Sequence, residues 1–191
     1  MMKILGISAS LRAASINTAL LRTAATLTPY GVTLIVYDVL GNLPHFSPEL
    51  DKEPLPPGVT DFRSQLNSSA GVIISSPEYA HGIPGVLKNA LDWLVASGEL
   101  YEKPVALFNA STRTSYAQAS LAETLKVMTA RLIPEAAVNA AQPAGDGGLH
   151  MCSNVDLSQR IECALSAFVK AIDSTYVGVM RGPSSKPAVT S

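Results

Sequence analysis

The chain has 191 residues and a formal net charge of −1, from 14 Lys and Arg against 15 Asp and Glu. Hydrophobic residues make up 47% and charged residues 15%, which argues against a disordered chain and predicts a single domain with one substantial core. A charge this close to zero gives no attraction to nucleic acid or to an anionic membrane, so we expect neither as a partner.

The cysteines and the amino-terminal residues bear on the compartment. Cys152 and Cys163 are too few for a disulfide framework and lack a metal-type C-x-x-C spacing, so we expect buried or half-buried thiols in a reducing environment. Ser8, Ser10 and Arg12 interrupt the apolar start before a signal-peptide core could form. No run reaches the roughly 18 apolar residues of a membrane span. These patterns predict a cytoplasmic protein.

Short apolar runs alternate with segments of helical periodicity. The runs are continuous rather than alternating in polarity, which is typical of parallel strands covered on both faces. They lie at residues 3–7, 32–37, 71–75, 105–109 and, more weakly, 136–139. The segments between them predict amphipathic helices, of which residues 59–67 carry the weakest pattern because only Phe62 and Leu66 are strongly apolar.

Five strands with interleaved helices predict a doubly wound α/β domain with a five-stranded parallel sheet. We expect the strand order 2-1-3-4-5, because the first crossover and the later ones then cover opposite faces. Ligands of such folds bind where the order reverses, at the carboxyl ends of strands one and three. We expect the domain to span residues 1–173 and residues 174–191 to be a flexible tail. The proline-rich residues 41–58 predict an ordered surface excursion or a lid.

The first strand leads into a helix through a segment of small and hydroxylated residues, residues 8–17, which we call the first loop. Such a junction offers backbone N–H groups and the positive end of a helix dipole to a phosphate. Ser10, Ser15 and Asn17 add polar side chains, and Arg12 adds a permanent cation. Alternatively, Ser15 only caps the helix and Arg12 is a solvated residue. Neither G-x-G-x-x-G nor G-x-x-x-x-G-K-[ST] occurs, which disfavours a dinucleotide Rossmann loop and a P-loop ATPase.

A second loop, residues 75–85, follows the third strand and contains Pro77, Tyr79 and Gly82. A rigid proline, an aromatic ring and a glycine at a strand's carboxyl end suit the close approach of a flat ligand ring. In the helix that follows, Lys88 and Asp92 are spaced for an i,i+4 ion pair. Trp93 is expected in the core or at an interface rather than on a ligand.

Together these two segments resemble the NADPH-dependent FMN reductase family of the flavodoxin-like superfamily. Its pattern reads approximately G-S-x-R-x-x-S-x-N, then P-E-Y, then P-G-x-L-K-N-A-[IL]-D-W. The chain matches the first part at Ser10, Arg12, Ser15 and Asn17, and the other two at residues 77–79 and 84–93. The resemblance covers about residues 3–170 and rests on both motifs occurring in this order.

The resemblance implies a flavodoxin-like three-layer sandwich that holds the FMN phosphate on the first loop and the isoalloxazine ring along the second. The implied cofactor-binding residues are Ser10, Arg12, Ser15, Ile16, Asn17, Pro77, Glu78, Tyr79, Ala80 and His81. The chain departs from the pattern at Ala9, where glycine is common, and at Ala80, where many members carry asparagine. We interpret Glu78 as a loop-shaping residue rather than a general base. His81 either helps to place a substrate or is an ordinary surface histidine.

The loop after the fourth strand is often glycine-rich in the family, whereas here it reads A-S-T-R-T-S at residues 110–115. The resemblance makes Ser111 and Arg113 candidates for contact with the pyrimidine edge of the flavin or with the phosphate of NADPH. The alternative is a helix entry capped by Thr112 or Thr114.

The resemblance further implies an enzyme in which NADPH or NADH reduces bound FMN, which then reduces a small acceptor such as a quinone, an azo compound or a metal oxyanion. The flavin carries the chemistry, and no side chain is assigned a catalytic role. The three histidines lack zinc-ligand spacing, so no metal is expected. A homodimer or homotetramer is implied, with residues 84–95 in the interface. The alternatives are a flavodoxin-type electron carrier, although such carriers are usually strongly acidic, and a non-catalytic flavin-binding sensor.

Overall fold

A computed structural model describes residues 1–110, 116–140 and 155–180 of the chain. The strands are β1 (Met2–Ser8), β2 (Val32–Tyr37), β3 (Gly71–Ser75), β4 (Pro104–Asn109), β5 (Arg131–Leu132) and β6 (Val138–Asn139). The α-helices are α1 (Ile16–Thr26), α2 (Pro57–Asn67), α3 (Gly85–Asp92), α4 (Tyr116–Val127) and α5 (Val155–Met180).

The strands form one parallel sheet in the order β2-β1-β3-β4-β5, with β6 also paired to β4. This confirms the predicted order 2-1-3-4-5. The order reverses between β1 and β3, which lie side by side with Ile7 opposite Ile74 and Ser8 opposite Ser75. The carboxyl ends of these two strands therefore meet at one edge of the sheet, together with the loops that follow them.

Helices cover both faces of the sheet, as the continuous apolar runs predict. Alternate strand residues face opposite layers, so Leu5 and Ile7 pack with one layer and Ile4 with the other. The first layer is built from α2, α3 and α4, and its buried side chains include Phe62, Leu66, Leu87, Leu91, Leu121 and Leu125. The second is built from α1 and α5, and its buried side chains include Leu20, Leu21, Ile161, Leu165 and Phe168. The result is the expected three-layer sandwich.

The outer side of the sheet, beyond β4, differs from the prediction of a single fifth strand at residues 136–139. Two short strands, β5 and β6, both pair with β4 and are separated by a 3₁₀ turn at Pro134–Ala136. Pro134 has no N–H to donate to a sheet ladder, so the strand is interrupted there. The sequence indicated the second piece and missed the first, because two residues show no periodicity.

The proline-rich excursion at residues 41–58 is ordered against α3. Asn89 donates from Nδ2 to the carbonyl of Pro44 at 3.0 Å and accepts from the amide of Phe46 at 2.8 Å. The indole N–H of Trp93 donates to the same Pro44 carbonyl at 2.9 Å, and the Phe46 ring packs edge-on against the indole. Trp93 is fully buried. The prediction of an ordered excursion is confirmed, and so is the placement of Trp93 in the core.

Helix α5 bears on the expectations for the tail and for Cys163. It continues through Asp173 to Met180. The domain end at residue 173 and the flexible tail stay predictions, and residues 181–191 lie outside the described chain. Cys163 lies on the exposed side of α5, so the prediction of a buried or half-buried thiol is wrong there. Cys152 lies outside the described residues. In the described part of the chain, no helix is both long enough and apolar enough to cross a membrane.

The environment of Tyr37, at the end of β2, predicts that the folded protein loses stability at alkaline pH. Burial, together with the negative charge of Asp61 and a hydrogen bond to it, raises the pKa of Tyr37 from 10.0 to about 12. Between these values the unfolded chain loses the phenol proton and the folded chain keeps it, so the free energy of unfolding falls as pH rises. Y37F should remove about 1–2 kcal/mol of that fall, measured by urea unfolding at pH 9, 10 and 11.5. Equal pH slopes for the two proteins would refute this assignment.

Candidate functional site

The first and second loops lie side by side because β1 and β3 are neighbours in the sheet. The pairing continues past the strands, where the amide of Ala9 donates to the carbonyl of Ser75 at 2.9 Å. The hydroxyl of Ser75 then donates to Oδ1 of Asn17 at 3.0 Å, and both side chains are buried. Asn17 thus joins the first turn of α1 to the end of β3.

The first loop ends in a capped helix. Ser15 is the N-cap of α1, with extended backbone angles, and its hydroxyl accepts from the amide of Thr18 at 3.3 Å. The hydroxyls of Thr18 and Ser8 are hydrogen-bonded at 2.7 Å beneath the loop. The capping role considered for Ser15 is therefore present. The amides of Ile16 and Asn17 have no acceptor within the helix, by the geometry of any helix start, and remain suited to an anion.

Arg12 lies at the exposed part of the first loop, where its guanidinium reaches solvent. Its backbone amide lies 3.4 Å from the hydroxyl of Ser10, which is itself buried, so the loop is shaped by its own side chains. A permanent cation beside the amino end of α1 reinforces the positive dipole of that helix. The arrangement is suited to a phosphate group.

The second loop contains a tight hairpin turn. Tyr79 and Gly82 exchange backbone hydrogen bonds of 3.0 Å and 2.9 Å. The two central residues, Ala80 and His81, have φ angles of 48° and 62°, in the left-handed region. Positive φ at both central residues defines a type I′ turn, in which asparagine and glycine are the favoured residues. The turn leaves the Tyr79 ring exposed beside the first loop.

Glu78 connects the second loop to α4. Its Oε2 accepts from the backbone amide of Ala117, the second residue of α4, at 2.9 Å. A carboxylate at a helix N-terminus satisfies an unpaired amide and is favoured by the helix dipole. This contact is the loop-shaping role that we inferred for Glu78. Pro77 is half-buried at the start of the same loop.

A cavity of about 280 Å³ lies between the two loops. It is lined by Ala9, Leu11, Arg12, Tyr79, Pro84, Gly85 and Val86. Most of these residues are apolar, with the Arg12 cation among them, and a Cβ added at Gly85 would meet nothing within 4 Å. The walls suit a flat ring, and the helix start beside Arg12 suits an anionic group, so the residues present fit FMN.

The structure brings most of the predicted site residues to this edge of the sheet. Arg12 and Tyr79 line the cavity directly, and Ser10, Ser15, Ile16 and Asn17 form the loop and helix start behind Arg12. Ser111 and Arg113 lie outside the described residues, so their assignment stays a prediction. Their loop follows β4, whose carboxyl end lies beside that of β3.

Sequence reasoning missed five of the residues that line the cavity: Ala9, Leu11, Pro84, Gly85 and Val86. The last three belong to the P-G-x-L-K-N-A motif, which was a signal for their position. It also missed the Tyr116 ring, which stacks on His81 with centroids 4.3 Å apart. Among the described residues, no cluster of three or more His, Cys, Asp or Glu side chains is arranged to hold a metal ion.

A parallel sheet of order 2-1-3-4-5 with a ligand-sized cavity at its β1/β3 reversal defines a flavodoxin-like protein. Solved structures agree: the flavoenzyme NAD(P)H:acceptor oxidoreductase FerB of Paracoccus denitrificans superposes with a TM-score of 0.78 at 23% identity, over 91% of this chain and 98% of that one.

The family follows from sequence comparison. The model of the NADPH-dependent FMN reductase family matches residues 2–144. An NAD(P)H-dependent FMN reductase of Pseudomonas aeruginosa is 36% identical over 151 residues, which cover 75% of this chain and 81% of the relative. A quinone reductase of Escherichia coli is 32% identical over 98 residues, about half of each chain. The chain belongs to the NADPH-dependent FMN reductase family and is thus an FMN- and NAD(P)H-dependent oxidoreductase.

Proposed function

We propose that this chain is an NAD(P)H oxidoreductase that holds FMN between its first and second loops and reduces a quinone-type acceptor. The single observation that carries the proposal is the cavity of about 280 Å³ at the β1/β3 reversal, in which Arg12 from one loop faces Tyr79 from the other. Azo compounds and metal oxyanions are further proposed acceptors, since each can take up electrons from a reduced flavin. The family resemblance and the quinone reductase relatives support this class of substrate.

The first loop would bind the phosphate of FMN. The backbone amides of Ile16 and Asn17 provide donors at the start of α1, and the guanidinium of Arg12 provides a bidentate, charged partner. Ser10 and Ser15 fix the loop through the hydrogen bonds they accept from the amides of Arg12 and Thr18. Asn17, held by Ser75, keeps the helix start against the sheet.

The second loop would hold the flat ring. Tyr79 and Pro84 provide walls, and Gly85 leaves open space where any other residue would carry a side chain. Of the amides in the type I′ turn, those of Ala80 and His81 would be offered to the polar edge of the ring, since those of Tyr79 and Gly82 donate to each other's carbonyls. FMN held by these residues would supply the redox chemistry, which is hydride acceptance from NAD(P)H followed by transfer of two electrons to a quinone.

Steady-state kinetics tests the proposal. Because NAD(P)H and the acceptor would use the same cavity in turn, initial rates with both concentrations varied should give the parallel reciprocal plots of a ping-pong mechanism. A protein that binds FMN, fails to oxidise NADPH or NADH with any quinone, and accepts electrons from a partner reductase would instead be a flavodoxin-type carrier. An FMN-bound protein that is inert to both would be a sensor.

We propose that the chain forms a homodimer, or a tetramer of two such dimers, through α3 and α4. A groove of about 440 Å³ runs between these helices. Leu91, Val95, Val127 and Met128 contribute its apolar lining, and Lys88 and Asp92 contribute a 2.5 Å ion pair at its edge. Val95 and Val127 are both exposed in the isolated chain. A second copy packed against the groove would bury them.

Charge placed in this groove should disrupt the oligomer. V127E is expected to shift the protein to a monomer in analytical ultracentrifugation, because an unpaired carboxylate would be buried between apolar side chains. V155E is the matched control, since Val155 is an equally exposed valine at the start of α5, in the opposite layer. A monomeric wild-type protein, or an oligomer unchanged by V127E, would contradict this interface.

A cytoplasmic location is proposed on the sequence pattern alone.

A further inference from the structure

The rings of His81 and Tyr116 form a stacked pair that lies outside both core clusters of the fold. Their centroids lie 4.3 Å apart with an interplanar angle of 28°. Both side chains are exposed, Tyr116 to 58%, so the outer surface of the pair is open to a ligand. The pair joins the tip of the hairpin in the second loop to the first residue of α4.

Two sets of contacts hold this pair in place. The backbone hydrogen bonds between Tyr79 and Gly82 close the hairpin that presents His81. Glu78 binds the amide of Ala117 at 2.9 Å and so fixes the first turn of α4, where Tyr116 lies. Ala80 and His81 keep left-handed backbone angles that cost non-glycine residues of the order of 1 kcal/mol, and such strain is concentrated at functional sites.

The pair lies beside the cavity. Tyr79 lines the cavity and is the hydrogen-bonded partner of Gly82 across the hairpin, which places His81 at the tip between them. The Tyr79 ring that lines the cavity and the His81 ring of the stacked pair are both exposed, and both belong to this hairpin.

We propose that His81 and Tyr116 form an aromatic shelf on which a planar acceptor that carries an aromatic ring, such as a naphthoquinone, stacks when it enters the site. The inference rests on the proposed function and adds residues that determine acceptor specificity. An offset-stacked aromatic ring gains dispersion and quadrupole energy on such a surface, whereas a saturated ring or an inorganic acceptor gains little. Glu78 acts as a positioning residue for the shelf through α4.

Ligand binding tests the shelf without turnover. The Kd of the FMN-loaded protein for 2-methyl-1,4-naphthoquinone is measured by ligand-observed NMR titration, with cyclohexane-1,4-dione as the saturated comparison. Y116A and H81A should each raise the quinone Kd about three- to tenfold, and Y116F, which keeps the ring, should restore it. Y101A is the matched control, because Tyr101 is 68% exposed and precedes β4 at the opposite end of the sheet.

Kinetics provides a second readout. In Y116A the ratio of kcat/KM for the naphthoquinone to that for ferricyanide should fall about five- to tenfold, through KM for the quinone, and Y116F should recover the ratio. A ratio unchanged in Y116A, a parallel loss of both acceptors, or a wild-type quinone Kd in Y116A would each overturn the shelf. If the wild-type protein does not oxidise NADPH at all, the proposed function fails, and the binding titration still decides whether the shelf exists.

Discussion

Replacing Arg12 with alanine is expected to raise the Kd for FMN about 10- to 100-fold and to leave the Kd for riboflavin within about twofold. The two ligands share the ring system and differ in the phosphate, so their comparison isolates the first loop. A charge-assisted, bidentate contact contributes about 1.5–3 kcal/mol, which gives this range. The measurement is a titration of the apoprotein, followed by quenching of flavin fluorescence.

R22A is the matched control for R12A. Arg22 lies on α1, with its guanidinium exposed and paired at 2.9 Å with Asp38. It carries the same charge near the same helix and does not line the cavity. Its loss should change FMN binding little. Equal weakening of FMN and riboflavin by R12A, or equal effects of R12A and R22A, would remove Arg12 from the phosphate site.

A second large effect is expected at Arg63, where R63A should lower the free energy of unfolding by about 3–5 kcal/mol. The Arg63 guanidinium lies 2.9 Å from Asp51 in the proline-rich excursion and 3.6 Å from Glu99, and donates to the carbonyl of Trp93 at 2.6 Å. The side chains of Arg63, Asp51 and Glu99 are only 14%, 19% and 6% exposed. The alanine variant leaves both carboxylates without this cation, in surroundings that solvate charge poorly.

The control for this prediction is again R22A, because the pair Arg22–Asp38 has the same 2.9 Å separation as Arg63–Asp51. Its partners are 65% and 36% exposed, and a pair in contact with water contributes about 0–1 kcal/mol. Guanidinium chloride unfolding of R63A and R22A therefore compares the loss of a buried ion pair with the loss of an exposed ion pair of the same separation. Similar losses, or a loss below about 1 kcal/mol in R63A, would show that the buried cluster does not hold the excursion in place.

The sequence predicts the sheet well because fully buried parallel strands produce continuous apolar runs. It predicts α2 as well, since Phe62 and Leu66 supply enough of a buried face. The sequence does not predict the division of the last strand into β5 and β6, because strands of two residues are too short to show periodicity. The apolar stripe of α5, which includes Ile161 and Leu165, already places Cys163 on the opposite face. The wrong expectation followed the general tendency of cysteine to be buried and not this periodicity.

Some features of the candidate site could likewise be predicted from the sequence, and others could not. Local features were predictable: a capped helix start after β1, a proline and a tyrosine after β3, and a motif that enters α3. Contacts between distant segments were not. The stacking of His81 on Tyr116 joins residues 35 positions apart, and Glu78 reaches Ala117 across 39 positions. These contacts depend on the positions of β3 and β4 in the sheet, which local periodicity does not specify.

The central claim, that the first and second loops bind FMN for reduction by NAD(P)H, is tested most directly by the visible absorption spectrum of the FMN-supplemented protein. The protein is freed of unbound flavin and its spectrum is recorded before and after anaerobic addition of NADPH. A flavin band that stays with the protein and bleaches on addition of NADPH is the predicted result. A protein that remains colourless after incubation with FMN would contradict the account.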